Sequence, residues 1–168
     1  PQIVHRLLEG LLVPLLAKTV LLKPQYSAWM LTASNLGELS GAGLLWSFSS
    51  RFPWVQWGAA GLLAIWALAF STYLPVLLGA ILVSGLTWAA SDLHLRSEIQ
   101  SVVTEKNQPR AFSFLYGVFV LGTALASLAI GVFIDWLGLS LALYWICGTI
   151  TALAVGVFLA SLRIRATR

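Results

Sequence analysis

The sequence predicts an all-α fold, a polytopic membrane bundle of six transmembrane helices arranged as two inverted three-helix repeats. Hydrophobic residues make up 59% of the chain and charged residues only 10%, with a mean hydropathy of +0.88. A soluble domain carries roughly 25% charged residues to cover its surface, so most of this surface is expected to face lipid. The apolar residues also fall into runs close to the length of about 20 residues that spans a bilayer.

Six apolar runs are long enough, or nearly so, to cross a membrane as helices. They are residues 3–22, 28–48, 55–73, 74–95, 114–138 and 139–162. The connections between them are short except for residues 97–110, a polar segment that contains Pro109 and predicts a turn in water. The fifth run carries Thr123, Ser127 and Gly131 on one helical face, where small side chains permit close helix contact.

The distribution of basic residues predicts how the bundle is oriented. An even number of spans returns the chain to its starting side, so both termini and the long polar segment share one side. That side holds most of the basic residues: Arg6, Arg51, Arg96, Lys106, Arg110, Arg163, Arg165 and Arg168. Under the positive-inside rule these parts are cytosolic, and the chain lies in a plasma or inner membrane. The net charge of +4 is therefore assigned to membrane topology, and no nucleic-acid partner is expected.

The single cysteine and the first residue each limit the interpretation. Cys147 lies within an apolar run, so neither a disulfide framework nor a zinc site is expected in this chain. No metal and no cofactor are predicted. The sequence starts at Pro1 rather than at methionine, which predicts a piece of a longer protein, cut within or just before the first helix.

A weak internal repeat divides the chain into residues 1–73 and 74–163. A shift of 85 residues aligns Leu36-Gly37 with Leu121-Gly122. Few positions are identical, so chance similarity between apolar helices stays open as an alternative. Because each half would hold three helices, an odd number, the two halves would cross the membrane in opposite senses, as in secondary transporters.

The second half of the chain contains a polar stretch, a turn and a Gly/Ala-rich helix in a defined order. Their marker residues are Gln100 and Val103, then Pro109 and Arg110, then Gly131, Asp135 and Gly138. This order resembles the tenth-to-twelfth-helix region of major facilitator superfamily transporters. In that family a polar Q-x-x-V stretch ends one helix, a cytosolic turn ends in Pro-Arg, and a Gly/Ala-rich helix closes on G-x-x-x-D-x-x-G. Residues 13–45 are similar to the seventh and eighth helices, where a proline precedes the extracellular turn.

The resemblance covers almost the whole chain and implies the C-terminal six-helix half of such a transporter. It implies an N-terminal six-helix half of the same protein as a partner, together with the lipid bilayer and a small-molecule substrate. Protons are a suggested coupling ion. One departure weakens any charge latch, because the family's acidic position in a cytosolic loop is Ser50 here and only Arg51 remains of the basic cluster.

Ionisable residues inside apolar runs are the candidate functional residues, because a charge in a bilayer costs at least ~2.5–3.5 kcal/mol on insertion scales. Glu9 is interpreted either as a proton or substrate site in a central cavity or as a partner of Arg6 or His5 near the interface. Glu38, beside Asn35, should be protonated or paired at such depth and is also a pathway candidate.

The fourth run contributes two further candidates. Asp92 and Arg96 are four residues apart and share a helical face near the cytosolic end. An ion pair that closes or braces a cytosolic gate is favoured over direct substrate binding. Trp88, beside them, is a candidate lining residue of the cavity. Small residues in the apolar runs predict helix packing at Gly37, Gly41, Gly122, Ser127, Gly131, Gly148 and Gly156.

Three functions are compatible with a six-helix membrane protein. The leading prediction is half of a secondary active transporter that moves a small solute by alternating access, and hence not an enzyme. A rhomboid-type protease would need a Gly-x-Ser-Gly nucleophile and a helical histidine, whereas the nearest match, residues 37–41, has the wrong spacing. A voltage-sensing channel would show arginine at every third position of one helix, and no run does.

Overall fold

The computed structural model describes residues 2–48, 66 and 71–166, and these residues form five long helices. Helix α1 has an α-helical start, Gln2–Leu7, a π-helical segment, Leu8–Leu12, and an α-helical end, Val13–Thr19. The others are α2, Tyr26–Phe48; α3, Leu74–Val102; α4, Gln108–Leu137; and α5, Leu139–Ala166. The described part of the chain contains no strand, so the all-α prediction is confirmed.

Five of the six predicted runs correspond to these helices, but the described residues do not establish six transmembrane helices. The third run, residues 55–73, lies outside the described part of the chain apart from Trp66 and residues 71–73. Ser50 and Arg51 also lie outside it. Two helical stretches, Leu74–Val102 and Glu105–Leu137, are long and apolar enough to cross a membrane. Length and composition alone are weak evidence, since the core helix of a soluble protein can share them.

Helix α4 has surroundings that favour lipid. Only 6% of its most apolar window is buried, compared with 50% for α3. Large apolar side chains are exposed along its whole length, among them Phe114, Leu121, Leu128 and Trp136. An apolar face of this length is unfavourable in water, so the exposure suggests a membrane location for the helix.

Helix α3 is longer than predicted, because it continues to Val102 rather than ending at residue 95. Its last turns are polar, yet they contain side chains that support a helix through pairs four residues apart. Arg96 Nε donates to Asp92 Oδ2 at 2.7 Å, and His94 Nε2 lies 3.7 Å from Glu98 Oε1. The helix therefore extends beyond the end of the apolar run.

Helix α4 is bounded by a proline and a glycine. Pro109 lies in its first turn, where the missing N–H removes no helical hydrogen bond. The Gln108 side chain donates to the carbonyl oxygens of Gln100 and Val103 at 3.3 and 3.2 Å, which satisfies acceptors at the end of α3. Gly138 ends the helix with φ of 76°, a left-handed conformation that glycine adopts easily.

Pro14 accounts for the π-helical segment of α1. Proline has no N–H to donate to the carbonyl of Gly10, and its ring crowds that carbonyl. The wider helix over Leu8–Leu12 relieves this crowding just before the proline. π-Helical turns are rare in proteins, but those that occur are often at functional sites. Glu9 lies in this one.

The hydrophobic core forms where α1, α2, α3 and α5 meet. Helix α4 contributes only Ile130 to the buried residues of the described chain. The core side chains are Leu8, Leu12, Val13, Leu16, Ala17, Met30, Ala33, Leu77, Ile81, Leu143 and Cys147. Burial of these apolar groups holds α1 and α2 in place beside α3.

The closest helix contact joins α2 and α3. A Cβ atom added at Gly37 would overlap the carbonyl oxygen of Leu82, and one added at Gly41 would overlap that of Leu86. Gly37 meets Leu82 and Gly41 meets Leu86, so the contacts follow the same order along both helices, which therefore run parallel. The predicted second and fourth spans require this direction, because a single span separates them.

Gly85 of α3 makes the reciprocal contact with α2. A Cβ atom there would overlap the carbonyl oxygen of Ser34 and approach the backbone nitrogen of Glu38 to 3.2 Å. This contact therefore sets how close the Glu38 backbone lies to α3. We call the contact of Gly37, Gly41 and Gly85 the glycine contact.

The remaining positions predicted for packing have different surroundings. A Cβ atom at Gly131, Gly148 or Gly156 would meet no atom of the described chain within 4 Å. These glycines face open space because neither α4 nor α5 turns that face toward another described helix. Gly122 and Ser127 are half-buried on α4. Helix packing at these small residues of α4 and α5 stays a prediction, and it would involve a neighbour outside the described helices.

Replacement of Gly37 by alanine should destabilise the protein by about 1–3 kcal/mol, because the new methyl group must displace the Leu82 carbonyl. Gly43→Ala is the matched control, since a Cβ atom at Gly43 on the same helix meets nothing within 4 Å. The control should be neutral or stabilising by up to about 1 kcal/mol, because alanine favours helix. Free energies of unfolding in detergent measure both effects, and an equal loss at Gly43 would contradict the glycine contact.

Candidate functional site

Three ionisable side chains from two helices meet between the start of α1 and the middle of α2. His5 Nε2 lies 3.0 Å from Glu38 Oε1 and 3.5 Å from Glu9 Oε1. One imidazole nitrogen of His5 and one carboxylate oxygen from each glutamate all lie within 4.8 Å of one another. The His5 side chain is only 4% exposed, while those of Glu9 and Glu38 are 26% and 28% exposed. We call these three residues the polar cluster.

Local helix geometry and the glycine contact together position the polar cluster. His5 and Glu9 are four residues apart on α1, so their side chains lie on one face. Glu38 comes from α2, whose backbone at this residue abuts Gly85 of α3. The cluster therefore requires both the register of α1 and the close approach of α2 to α3.

Trp88 of α3 holds the histidine ring. Its indole stacks on the His5 imidazole with ring centroids 4.5 Å apart and an interplanar angle of 14°. Stacking fixes the plane of the imidazole and so directs Nε2 toward the two carboxylates. The indole Nε1 is buried without a hydrogen-bond partner in the described chain, although a buried tryptophan N–H usually has one. It is a donor that an incoming acceptor could use.

The charges of the polar cluster are not balanced by a basic side chain. In the described part of the chain, neither Glu9 nor Glu38 has a lysine or arginine nitrogen within 4.0 Å. The two carboxylates repel each other when both are ionised, since their nearest oxygen atoms lie within 4.8 Å. His5 Nδ1 is buried without a hydrogen-bond partner in the described chain. The arrangement therefore favours the presence of an added cation, either a proton or a metal ion.

A cavity of about 600 Å³ lies next to the cluster, between α1, α3 and α4. Trp88 belongs to its wall and also touches His5, so it joins the cavity to the polar cluster. The lining combines aromatic, hydroxyl and charged side chains: Arg6, Trp88, Asp92, Arg96, Phe112, Ser113, Leu115, Tyr116, Phe119, Val120, Thr123 and Ala124. A mixed wall of this kind suits a small organic molecule with an aromatic or apolar part and polar groups.

Asp92 and Arg96 form the ion pair that their spacing predicts. Arg96 Nε donates to Asp92 Oδ2 at 2.7 Å, and both residues line the cavity. The aspartate side chain is 14% exposed and the arginine 58% exposed, so the pair lies at the edge of the cavity. Its role as a cytosolic gate stays a prediction.

Some of the other residues predicted from the sequence lie in the polar cluster, and one does not. Glu9, Glu38 and Trp88 come together around His5. Asn35 does not join them, because its side chain is exposed on α2 and makes no hydrogen bond within the described chain. Its role in a pathway stays a prediction.

The sequence indicates His5 and Arg6 only as alternative partners of Glu9 near the interface. The structure places His5 at the centre of the polar cluster, and Arg6 lines the adjacent cavity. The signal that indicates His5 is the i, i+4 spacing of His5 and Glu9. No comparable signal in the sequence links the histidine to Glu38 or to Trp88, which lie on other helices.

The His5–Glu38 contact should contribute measurably to stability. A double-mutant cycle with His5→Ala and Glu38→Ala should give a coupling energy of about 1–3 kcal/mol, as expected for a largely buried hydrogen bond to a charged group. The more exposed and longer pair His94 and Glu98, at 3.7 Å, is the control and should give about 0.5 kcal/mol or less. Equal coupling energies for the two pairs would contradict the proposed geometry.

Comparisons with known proteins assign no family to the chain. A scan against protein-family models found no match, and searches of curated proteins and of solved structures found no significant match. The polar cluster and the adjacent cavity are therefore the features on which a functional interpretation depends.

Proposed function

We propose that the chain is the C-terminal half of a secondary active membrane transporter, and that the cavity and the polar cluster form one wall of its solute pathway. The observation that carries this proposal is the polar cluster itself, two carboxylates and a buried imidazole among apolar helices. Ionisable groups are costly in such surroundings and are retained where ions or substrates move. The resemblance of the sequence to major facilitator superfamily transporters points the same way.

Helix contacts support the two inverted repeats. The first, second, fourth and fifth runs form α1, α2, α3 and α4. A pseudo-two-fold axis between the repeats would exchange α1 with α3 and α2 with α4. It would therefore convert the contact between α2 and α3 into one between α4 and α1. Both contacts occur in the structure. In addition, Trp66 Nε1 donates to Thr151 Oγ1 at 2.7 Å, which joins two residues that the 85-residue shift makes equivalent.

In the proposed mechanism this half rocks against an N-terminal six-helix half, so that a site near the middle of the membrane opens to each side in turn. The cavity between α1, α3 and α4 would receive the solute. A cation at the polar cluster would neutralise the carboxylates during the transition. Both termini would be cytosolic in a plasma or inner membrane, with the Asp92–Arg96 pair near the cytosolic opening.

Single-cysteine labelling tests this function, with Thr123→Cys and Leu128→Cys introduced separately into a Cys147→Ser background of the full-length protein. Both positions are on α4, where Thr123 lines the cavity and the Leu128 side chain points outward with 70% exposure. In a membrane, a charged thiol reagent should label Thr123→Cys at least roughly tenfold faster than Leu128→Cys, because the charged reagent does not enter the hydrocarbon that surrounds position 128. In sealed vesicles, this position should react from either face of the membrane.

Faster labelling of Leu128→Cys would contradict a membrane location, because it would show that the more exposed position faces water. Labelling of Thr123→Cys from one face only would contradict alternating access. The rates are measured by mass spectrometry of the intact protein in right-side-out and inside-out vesicles.

A further inference from the structure

We propose that His5, Glu9 and Glu38 form a binding site for one divalent transition-metal cation. The sequence predicts no metal site, because its single cysteine, Cys147, lies within an apolar run. The fold brings one imidazole nitrogen and two carboxylates together. Imidazole with carboxylate ligands suits zinc and other first-row divalent metals rather than magnesium or calcium, which prefer oxygen ligands alone.

The separations between the ligand atoms fit one metal ion. Metal–ligand distances of about 2.0–2.2 Å require ligand atoms about 2.9–3.5 Å apart in tetrahedral or octahedral geometry. His5 Nε2 already lies 3.0 Å from Glu38 Oε1 and 3.5 Å from Glu9 Oε1. The two carboxylate oxygens are within 4.8 Å of each other, so small side-chain rotations complete the site.

The histidine is prepared to act as a ligand. Its side chain is almost fully buried, and stacking on Trp88 holds the ring so that Nε2 faces both carboxylates. Metal binding uses the Nε2 lone pair, so the metal replaces the hydrogen bond between Nε2 and Glu38, and the ring proton moves to Nδ1. Nδ1 is buried without a hydrogen-bond partner in the described chain, so its proton would need an acceptor such as a water molecule.

Charge balance gives an independent reason for a divalent ion. As metal ligands the two carboxylates are ionised and the imidazole is neutral, and in the described chain no lysine or arginine nitrogen lies within 4.0 Å of either carboxylate. One divalent cation makes the cluster neutral, which a low-dielectric environment strongly favours.

Three protein ligands leave at least one coordination position open, as in sites that exchange a bound water or substrate. The partial exposure of Glu9 and Glu38 gives a route for such exchange. The site is thus of the exchangeable kind, and we assign the cation as the cargo or coupling ion of the pathway. This assignment rests on the proposed transport function, whereas metal binding itself does not.

Titration of the purified full-length protein with Zn²⁺ and Co²⁺ tests the site, using an affinity tag without histidines. Calorimetry should show one Zn²⁺ per chain, and bound Co²⁺ should show the intense visible absorption of a four- or five-coordinate site. Glu9→Gln and Glu38→Gln should each weaken binding by about a hundredfold or more, since even the loss of an outer-shell partner costs ten- to a hundredfold.

Glu98→Gln is the matched control, because His94 and Glu98 form an exposed histidine–glutamate pair with the same spacing. It should leave the affinity for Zn²⁺ unchanged. Circular dichroism verifies the fold of each variant, and the Co²⁺ spectrum of the unmodified protein decides the question if a variant fails to fold. Binding of Zn²⁺ that all variants retain, or no stoichiometric binding, would overturn the proposal and leave a proton as the cation of the cluster. Metal binding without solute transport would instead contradict the proposed function alone.

Discussion

The polar cluster depends on the close approach of α2 to α3 at the glycine contact. His5 is held by Trp88, which belongs to α3, whereas Glu38 belongs to α2. The distance between these two helices therefore determines the distance between the imidazole and the Glu38 carboxylate. Gly85 keeps that distance short, because any side chain there would press on the backbone of Ser34 and Glu38. A packing contact without chemistry of its own thus controls the site.

The cluster lies between two different environments, and this explains its composition. On one side is the apolar core of α1, α2, α3 and α5, where an unbalanced charge is costly. On the other side is the cavity, whose wall includes Trp88, Asp92 and Arg96. A cation taken up by Glu9, His5 and Glu38 changes the charge next to Trp88, and hence next to any molecule in the cavity. This proximity provides a physical basis for coupling between an ion and a solute.

Much of the fold could be predicted from the sequence, because apolar run length and small-residue spacing are local properties. Gly37 and Gly41 are four residues apart in an apolar run, and the structure places both against α3. The end of α3 could not be predicted from hydropathy, since the segment from Arg96 to Val102 is mostly polar and yet remains helical. Polarity and helix propensity are separate properties.

The candidate site was predictable only in part. Glu9 and Glu38 were recognisable because carboxylates are rare in apolar runs. The role of His5 was not, since its contact with Glu38 joins residues far apart in sequence and depends on how two helices meet. Gly85 is likewise an isolated glycine of α3, and only the register between α2 and α3 shows what it contacts.

Nuclear magnetic resonance of the protein with ¹⁵N-labelled histidine tests most directly whether the glycine contact controls the polar cluster. His94→Gln removes the other histidine ring of this chain, which has 2 histidines, and loss of a resonance in His5→Gln assigns it to His5. In metal-free protein, the Nε2 proton of His5 should give a hydrogen-bonded resonance that exchanges slowly with water. Gly85→Ala should abolish this resonance, while Gly79→Ala, where a Cβ atom meets nothing within 4 Å, should retain it. A resonance that persists unchanged in Gly85→Ala would contradict the dependence of the cluster on the glycine contact.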